Sequence, residues 1–183
     1  MMKTDNKHSV AEAAPAPGSL QLGVDRDTLR LASSDEVRAV AAELACQARR
    51  TLLLHTLDLE ARIYDRRAFI DAVSALVRRH PGACFDVLIQ DVDRVIKDGH
   101  RLLELMRRMG SSIQVRRCAP QYRGYCGTFL LADDSGYLYR PLSSRYEGLA
   151  SFNNAAEVAR LGKYFREVWE HSETDMELRR LYL

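Results

Sequence analysis

Apolar and polar positions along the chain repeat with two periods, one helical and one extended. In residues 35–50, Val37, Val40, Ala41, Leu44, Ala45 and Ala48 fall three or four apart, with Arg38, Glu43, Gln47 and Arg49 facing the other way. That stripe predicts a helix packed by one face; Ser33 or Ser34 stands at the N-cap, and Asp35 and Glu36 put negative charge in the first turn. Residues 51–57, TLLLHTL, are apolar on both faces and too short for a helix, so they predict a central strand. The alternation then recurs. Residues 64–80 predict a second helix through Phe69, Ala72, Val73, Leu76 and Val77, stopped by Pro81 and Gly82, and 84–90, CFDVLIQ, predict a second central strand. Val92, Val95, Ile96, Gly99, Leu102, Leu103 and Met106 line a third helix ended at Gly110, and SIQVRR at 112–117 makes the third strand.

Helix and strand in strict alternation imply parallel strands joined by crossover helices. The pattern changes at 125–140, YCGTFLLADDSGYLYR, where two β-prone runs flank Asp133, Asp134, Ser135 and Gly136: a hairpin. A last long helix spans about 153–171, with Ala155, Val158, Ala159, Gly162, Phe165, Val168 and Trp169 inward, and a short C-terminal helix is expected to dock Leu178 and Leu181. At the other end, 21–31 alternate weakly, as an edge strand or an extended arm. Residues 1–20, polar and containing APAPG, read as a flexible tail, which leaves 21–183 as a single domain.

Composition adds bounds. A chain of 183 residues with 46% hydrophobic content suits one domain with a substantial core. A net charge of +2 makes no general case for nucleic acid or an anionic membrane, so local clustering must carry any such role. Cys46, Cys84, Cys118 and Cys126 contain no C-x-x-C pair, and three of them lie in or beside apolar runs, as expected of reduced thiols in a cytoplasmic protein. No secretory leader is expected, and no run approaches the ~20 apolar residues that cross a bilayer.

Several residues could carry chemistry. His100, in DGHR beyond the C-terminal end of strand two, sits where open α/β sheets bind ligands; it is a substitute nucleophile or anion ligand, or an ordinary helix residue. His55, inside an apolar strand, reads as a satisfied core imidazole. Arg107, Arg108, Arg116, Arg117 and Arg123, with Tyr122 and Tyr125 nearby, could grip a phosphate-bearing ligand and stack on bases, or form a solvated face. Asp58, Glu60, Asp65, Asp91 and Asp93 follow strands one and two; helix capping explains them without a metal. No zinc-type spacing occurs, and no cofactor is implied.

The order of elements, with VLIQD, GHRLLELMRRMGSSIQVRR, FLLADDSGYLYRP and FREVWEHS, resembles one half of a phospholipase D-like protein over residues 35–172, and more narrowly an uncharacterised bacterial domain of that superfamily. The resemblance implies an α/β fold: a mixed, mostly parallel sheet covered by helices, with a β-hairpin before the last long helix. In that superfamily one strand carries His-x-Lys-x-x-x-x-Asp, whose imidazole attacks phosphorus while the ammonium holds a phosphate oxygen. Setting the Asp on Asp133 puts Cys126 at the His position and Thr128 at the Lys position. Threonine carries no charge and the thiol has no activating neighbour in sequence. Of the Gly-Ser pair and Asn that follow in the family, Ser143, Ser144 and Asn153 are present at a different spacing.

The resemblance thus implies a degenerate single-copy domain without the catalytic pair, acting as a binding or regulatory module in the bacterial cytoplasm. It implies a homodimer too, because active members unite two motif copies, and an acetyltransferase partner by family association. Two alternatives stand beside it. One is a phosphodiesterase-type enzyme with a relocated site, which requires His100, Arg116 and Asp133 to converge. The other is a nucleic-acid-binding module with a basic stripe through Arg107, Arg116 and Arg123.

Overall fold

The computed structural model describes residues 17–174. Helix α1 (Ser34–Gln47) begins at Ser33, whose hydroxyl accepts the Glu36 N–H while the Glu36 carboxylate accepts the Ser33 N–H, so two end donors are satisfied reciprocally. Its buried residues are those of the apolar stripe, Val37, Val40, Ala41, Leu44 and Ala45. Strand β1 (Thr28–Leu31) precedes it; only the end of the weakly alternating 21–31 segment is a strand, and it lies at a sheet edge. Leu20, at the end of the segment read as a tail, is buried against the core.

The next elements are β2 (Thr51–Thr56), the one-turn helix α2 (Ala61–Tyr64), α3 (Arg67–Arg79) and β3 (Cys84–Ile89). The helix expected over 64–80 is α3, which starts at Arg67 and carries the expected stripe of Phe69, Ala72, Val73 and Leu76; Tyr64 instead closes the separate α2. The third predicted helix is split, into α4 (Val92–Asp98) and α5 (Arg101–Arg108). Gly99 takes φ 70°, a left-handed conformation that glycine reaches without a Cβ penalty, and the turn it makes lets the His100 Nδ1 accept the Leu102 N–H and cap α5.

Strand β4 (Ile113–Arg117) follows, then β5 (Thr128–Ala132), β6 (Gly136–Arg140), β7 (Gly148–Ser151) and α6 (Ala155–His171). Among the described residues these strands form one sheet in the order β1-β7-β6-β5-β2-β3-β4. Only β2–β3 and β3–β4 are parallel; β2–β5, β5–β6, β6–β7 and β7–β1 are antiparallel. The sheet is mixed as expected but mostly antiparallel, which corrects the mostly parallel expectation. A parallel pair needs a crossover, and no helix longer than a single 3-10 turn lies between β4 and β7 to supply one. β7 itself escaped the sequence reading because its four residues, GLAS, show no alternation.

Helices α1, α3 and α5 cover one face of the sheet, over Leu52, Leu54, Phe85, Val87, Leu130 and Leu138. Helix α6 covers the other through Val158, Leu161, Phe165 and Val168 against Leu88, Phe129 and Leu131. Ala155 and Ala159, expected inward, are exposed, and Leu161 takes their place. Gly136 allows the hairpin to meet α1 closely: a Cβ there would lie 2.7 Å from a Leu44 methyl. No described helix is long and apolar enough to cross a membrane. The expected C-terminal helix carrying Leu178 and Leu181 lies outside the described residues.

The hairpin is fastened to the start of β2 by Asp133. Its carboxylate accepts the backbone N–H groups of Arg49 (3.0 Å), Arg50 (2.8 Å) and Thr51 (2.9 Å), more than eighty positions away in sequence. Asp133 adopts φ 52°, a left-handed conformation that Asp tolerates better than most residues. Asp133→Ala is expected to lower the unfolding free energy by about 2–4 kcal/mol in urea titrations, since it strands three donors of a charge-assisted set. Asp133→Asn, which keeps an acceptor and the backbone preference, should cost about half as much. Equal stability of all three proteins would show that the clamp is dispensable.

Candidate functional site

The three positions on which the sequence resemblance sets the superfamily motif, Cys126, Thr128 and Asp133, do not meet. Cys126 precedes β5 rather than lying on it; its exposed thiol donates to the Gly124 carbonyl at 3.6 Å. Thr128 is fully buried and donates its hydroxyl to the His55 carbonyl at 2.8 Å, so it is a packed link between β5 and β2. Asp133 is the clamp at the far end of the strand. Ser143 meets this region through its backbone, donating to the Cys126 carbonyl, while the Asn153 amide is spent on the carbonyls of Gly23 and Val24.

The other sequence candidates are also dispersed. His100 is buried as the α5 cap, 4.0 Å from the Asp65 carboxylate, beside a cavity of about 210 Å³ lined by Asp58, Arg94 and Gly99. Burial lowers its pKa, with Asp65 opposing. Arg116 lies on the α6 face, its guanidinium 4.3 Å from the Trp169 ring centroid and donating to the Trp169 carbonyl at 2.8 Å. Arg107 is exposed on a cavity of about 330 Å³ along β4, and Arg123 lines another of about 660 Å³ with Arg117, Gln121, His171 and Glu173. Tyr125 stacks on Tyr164 with centroids 4.5 Å apart, and its carbonyl accepts from Gln90. The contacts of His100, Arg116 and Asp133 share no residue, so these three are not brought together.

The carboxylates after β2 and β3 are largely engaged. Asp91 caps α4, Asp65 accepts the Arg101 N–H, Asp58 pairs with Arg94 at 2.9 Å, and Asp93 pairs with Arg117. Among the described residues no group of three or more His, Cys, Asp or Glu is placed to hold a metal.

What the fold does assemble is a buried polar row that the sequence reading missed. On the face of the sheet under α1 to α5, Thr56 continues the β2–β5 register to stand opposite Thr128, and Thr128 stands opposite Arg140. Arg140 is fully buried. It donates through Nη1 to the Glu60 carboxylate at 2.7 Å, through Nε to the Arg145 carbonyl at 2.7 Å and through Nη2 to the Ser143 carbonyl, with the Tyr146 ring 5.2 Å away. Glu60 is reached through two non-glycine residues with positive φ, Leu59 at 60° and Glu60 itself at 30°. Tyr64, also fully buried, completes the row; its hydroxyl lies near Thr128, whose own proton is committed to His55. Burial raises the pKa of Glu60 even with Arg140 opposing it, and pushes Tyr64 above the usual tyrosine range. One signal was available in sequence: Gly136, Leu138 and Arg140 alternate inward along β6, so Arg140 occupies a core position.

On the opposite face His55 is enclosed by aromatic rings, stacked on Phe129 (5.2 Å, 11°) and met edgewise by Tyr125 and Tyr164. Neither ring nitrogen makes a well-formed hydrogen bond, although the Gly127 backbone lies close by, so His55 is a core imidazole without the polar satisfaction expected of it. Burial drives its pKa down to about 4.

Solved structures place this arrangement among known folds. A phospholipase D family member, Nuc from Salmonella typhimurium, matches with a TM-score of 0.55 at 11% identity over 81% of this chain and 99% of its own. Phosphatidylserine synthase of Haemophilus influenzae matches at 0.56 and 13%, over 85% of this chain and 40% of the synthase. TrmBL2, an archaeal chromatin protein whose structure is described as showing a novel mode of DNA binding, matches at 0.59 and 15%, over 85% of this chain and 56% of that protein. The chain thus spans little more than half of the chromatin protein and two fifths of the synthase. At these identities the likeness establishes the phospholipase D-like fold alone. No curated protein matches in sequence. A family model described as a domain of unknown function, DUF7931, matches residues 33–181.

The His55 environment makes a pH prediction. Folded, the ring titrates near 4; unfolded, near its ordinary 6.5. Between these values the unfolded chain binds the extra proton, so this residue's share of stability is intact above 6.5 and declines as pH falls toward 4, by about 3 kcal/mol. His55→Phe should flatten that limb of the stability curve. An unaltered slope in urea unfolding would remove the assignment.

Proposed function

The chain belongs to the DUF7931 family, and from that premise we propose that it is a non-catalytic phospholipase D-like module, working in the bacterial cytoplasm by binding a phosphate-bearing ligand or a partner rather than by cleaving a phosphoester. The observation that carries the reading is Thr128. At the position where the superfamily's lysine would hold a phosphate oxygen, a buried neutral hydroxyl is consumed by the His55 carbonyl. Cys126, at the nucleophile's position, is exposed and gives its thiol to the Gly124 carbonyl, with no hydrogen bond to an imidazole or carboxylate among the described residues, and a thiol needs such a neighbour for activation. The buried Cys118 is pushed up to about 12 by desolvation, which suits a structural thiol.

The relocated-enzyme reading loses its support because His100, Arg116 and Asp133 have separate surroundings. Nucleic-acid binding is the second reading. The fold likeness to an archaeal chromatin protein and the exposed Arg107, Arg108 and Arg123 favour it. Arg116, turned onto Trp169 and Ser172, interrupts the basic stripe it would use. A homodimer and an acetyltransferase partner rest on the family resemblance alone.

Purified protein incubated with phosphodiester, phospholipid and nucleic-acid substrates is expected to give no turnover above buffer. Robust turnover lost on His100→Ala or Arg116→Ala would overturn the reading. In a filter-retention assay at low and high salt, nucleic acid held only at low salt, with a weaker salt dependence after Arg123→Ala, would make the second reading the first.

A further inference from the structure

We propose that the outer edge of β4 is a docking surface whose occupant is this chain's own segment 175–183, seated as a short helix with Leu178 and Leu181 in the cavity beside Val115. The inference goes beyond the reading of the chain as a binding module, and it concerns the edge of the sheet away from β6.

The geometry of β4 comes first. The Phe85 N–H donates to the Ser112 carbonyl and the Cys118 N–H to the Ile89 carbonyl, so in this parallel pair the even-numbered positions turn toward β3, and Ile113, Val115 and Arg117 turn their backbone groups outward. The Ile113 N–H is taken by the Met109 carbonyl. The Arg117 N–H is taken by the Glu173 carbonyl at 3.0 Å, in an antiparallel bridge. Between them stands Val115, beside the cavity of about 330 Å³ lined by Met106, Arg107, Ile113, Val115 and Thr174. Among the described residues β4 is the last strand on this side of the sheet, and native proteins commonly cover such an edge with a helix or loop.

The chain itself is delivered to this place. Past α6, the Ser172 hydroxyl accepts the Ala119 N–H at 3.3 Å and the Ser172 carbonyl accepts Arg116 Nη1 at 3.3 Å; Glu173 then bridges Arg117, and Thr174 lines the cavity. Residue 175 therefore starts at the mouth of the cavity. As a helix, 175–183 would be ~13 Å long at 1.5 Å per residue, close to the ~16 Å that β4 spans. Thr174-Asp175-Met176-Glu177 has the capping-box order, Asp175 and Glu177 put negative charge in the first turn, and Leu178 and Leu181 share one face while Arg179 and Arg180 turn from it. Those leucines match the apolar floor of Met106, Ile113 and Val115, and the acidic first turn matches Arg107 in charge. A strand continuing the bridge fits worse. Its register would set Asp175 opposite Val115 and Glu177 opposite Ile113, turning two carboxylates onto that floor.

Amide hydrogen exchange on the full chain, read by mass spectrometry, tests this. Leu178→Ser combined with Leu181→Ser is expected to speed exchange in 112–117 about tenfold or more while β2 stays unchanged, and Arg179→Ser should have no such effect. Leu181→Ser alone serves as the second variant if the double change also loosens β2. Asp175→Pro separates the two backbone geometries. Proline suits the first turn of a helix, so protection should persist, whereas a strand would lose the N–H that pairs with the Val115 carbonyl. The proposal is overturned if exchange in 112–117 ignores the leucine changes, or if Asp175→Pro abolishes its protection. It is overturned equally if that protection rises with protein concentration and light scattering shows a dimer that the leucine changes dissociate, since the helix would then sit on a second copy. None of these outcomes touches the non-catalytic reading, which is judged by turnover.

Discussion

A guanidinium with no exposed surface sets the terms for the rest of this molecule. Withdrawing a charge from water costs several kcal/mol unless it is matched, and Arg140 is matched by one carboxylate, two backbone carbonyls and an aromatic ring. Each partner constrains a different part of the chain. Glu60 reaches it from a left-handed Leu59–Glu60 turn, and the Ser143 and Arg145 carbonyls bring the β6–β7 connection against the guanidinium. The neighbour across the strand is constrained as well. A lysine at 128 would set a second cation directly opposite Arg140 in the same buried row, and like charges so placed repel strongly where water is excluded. The neutral Thr128 and the buried Arg140 are therefore two sides of one electrostatic solution.

Asp133 shows how one turn carboxylate can tie distant segments together. Its carboxylate serves three backbone N–H groups at the α1–β2 junction, a structural duty indifferent to what occupies 126 and 128. The clamp seats the antiparallel β5 beside the parallel β2, which joins the crossover-linked half of the sheet to the hairpin-linked half.

Much of this architecture was legible from periodicity. The apolar stripe of 37–48, the both-faced apolar runs at 51–57 and 84–90, and the hairpin around Asp133 to Gly136 appear in the structure within a residue or two of where the pattern puts them, apart from the start of β5. The errors have local causes. The 92–106 stripe is continuous in period, but Gly99, at φ 70°, breaks the helix within it; β7 is too short and too plain to announce itself; and the antiparallel β5–β6 and β6–β7 pairs follow from connections that lack helices. The candidate site fared worse. Arginines that are near one another in sequence, Arg107, Arg116 and Arg123, point to an edge cavity, an α6 contact and a second cavity respectively.

The sequence by itself determined the segments and the faces by which α1 and α3 pack, because these follow from local period and capping. Tertiary structure alone decided that Glu60 and Arg140, eighty residues apart, share one buried ion pair, that Thr56, Thr128 and Arg140 form a row, and that His55 loses its polar partners among aromatic rings. Strand register and burial create those relations, and both arise only when distant segments exclude water from the same space.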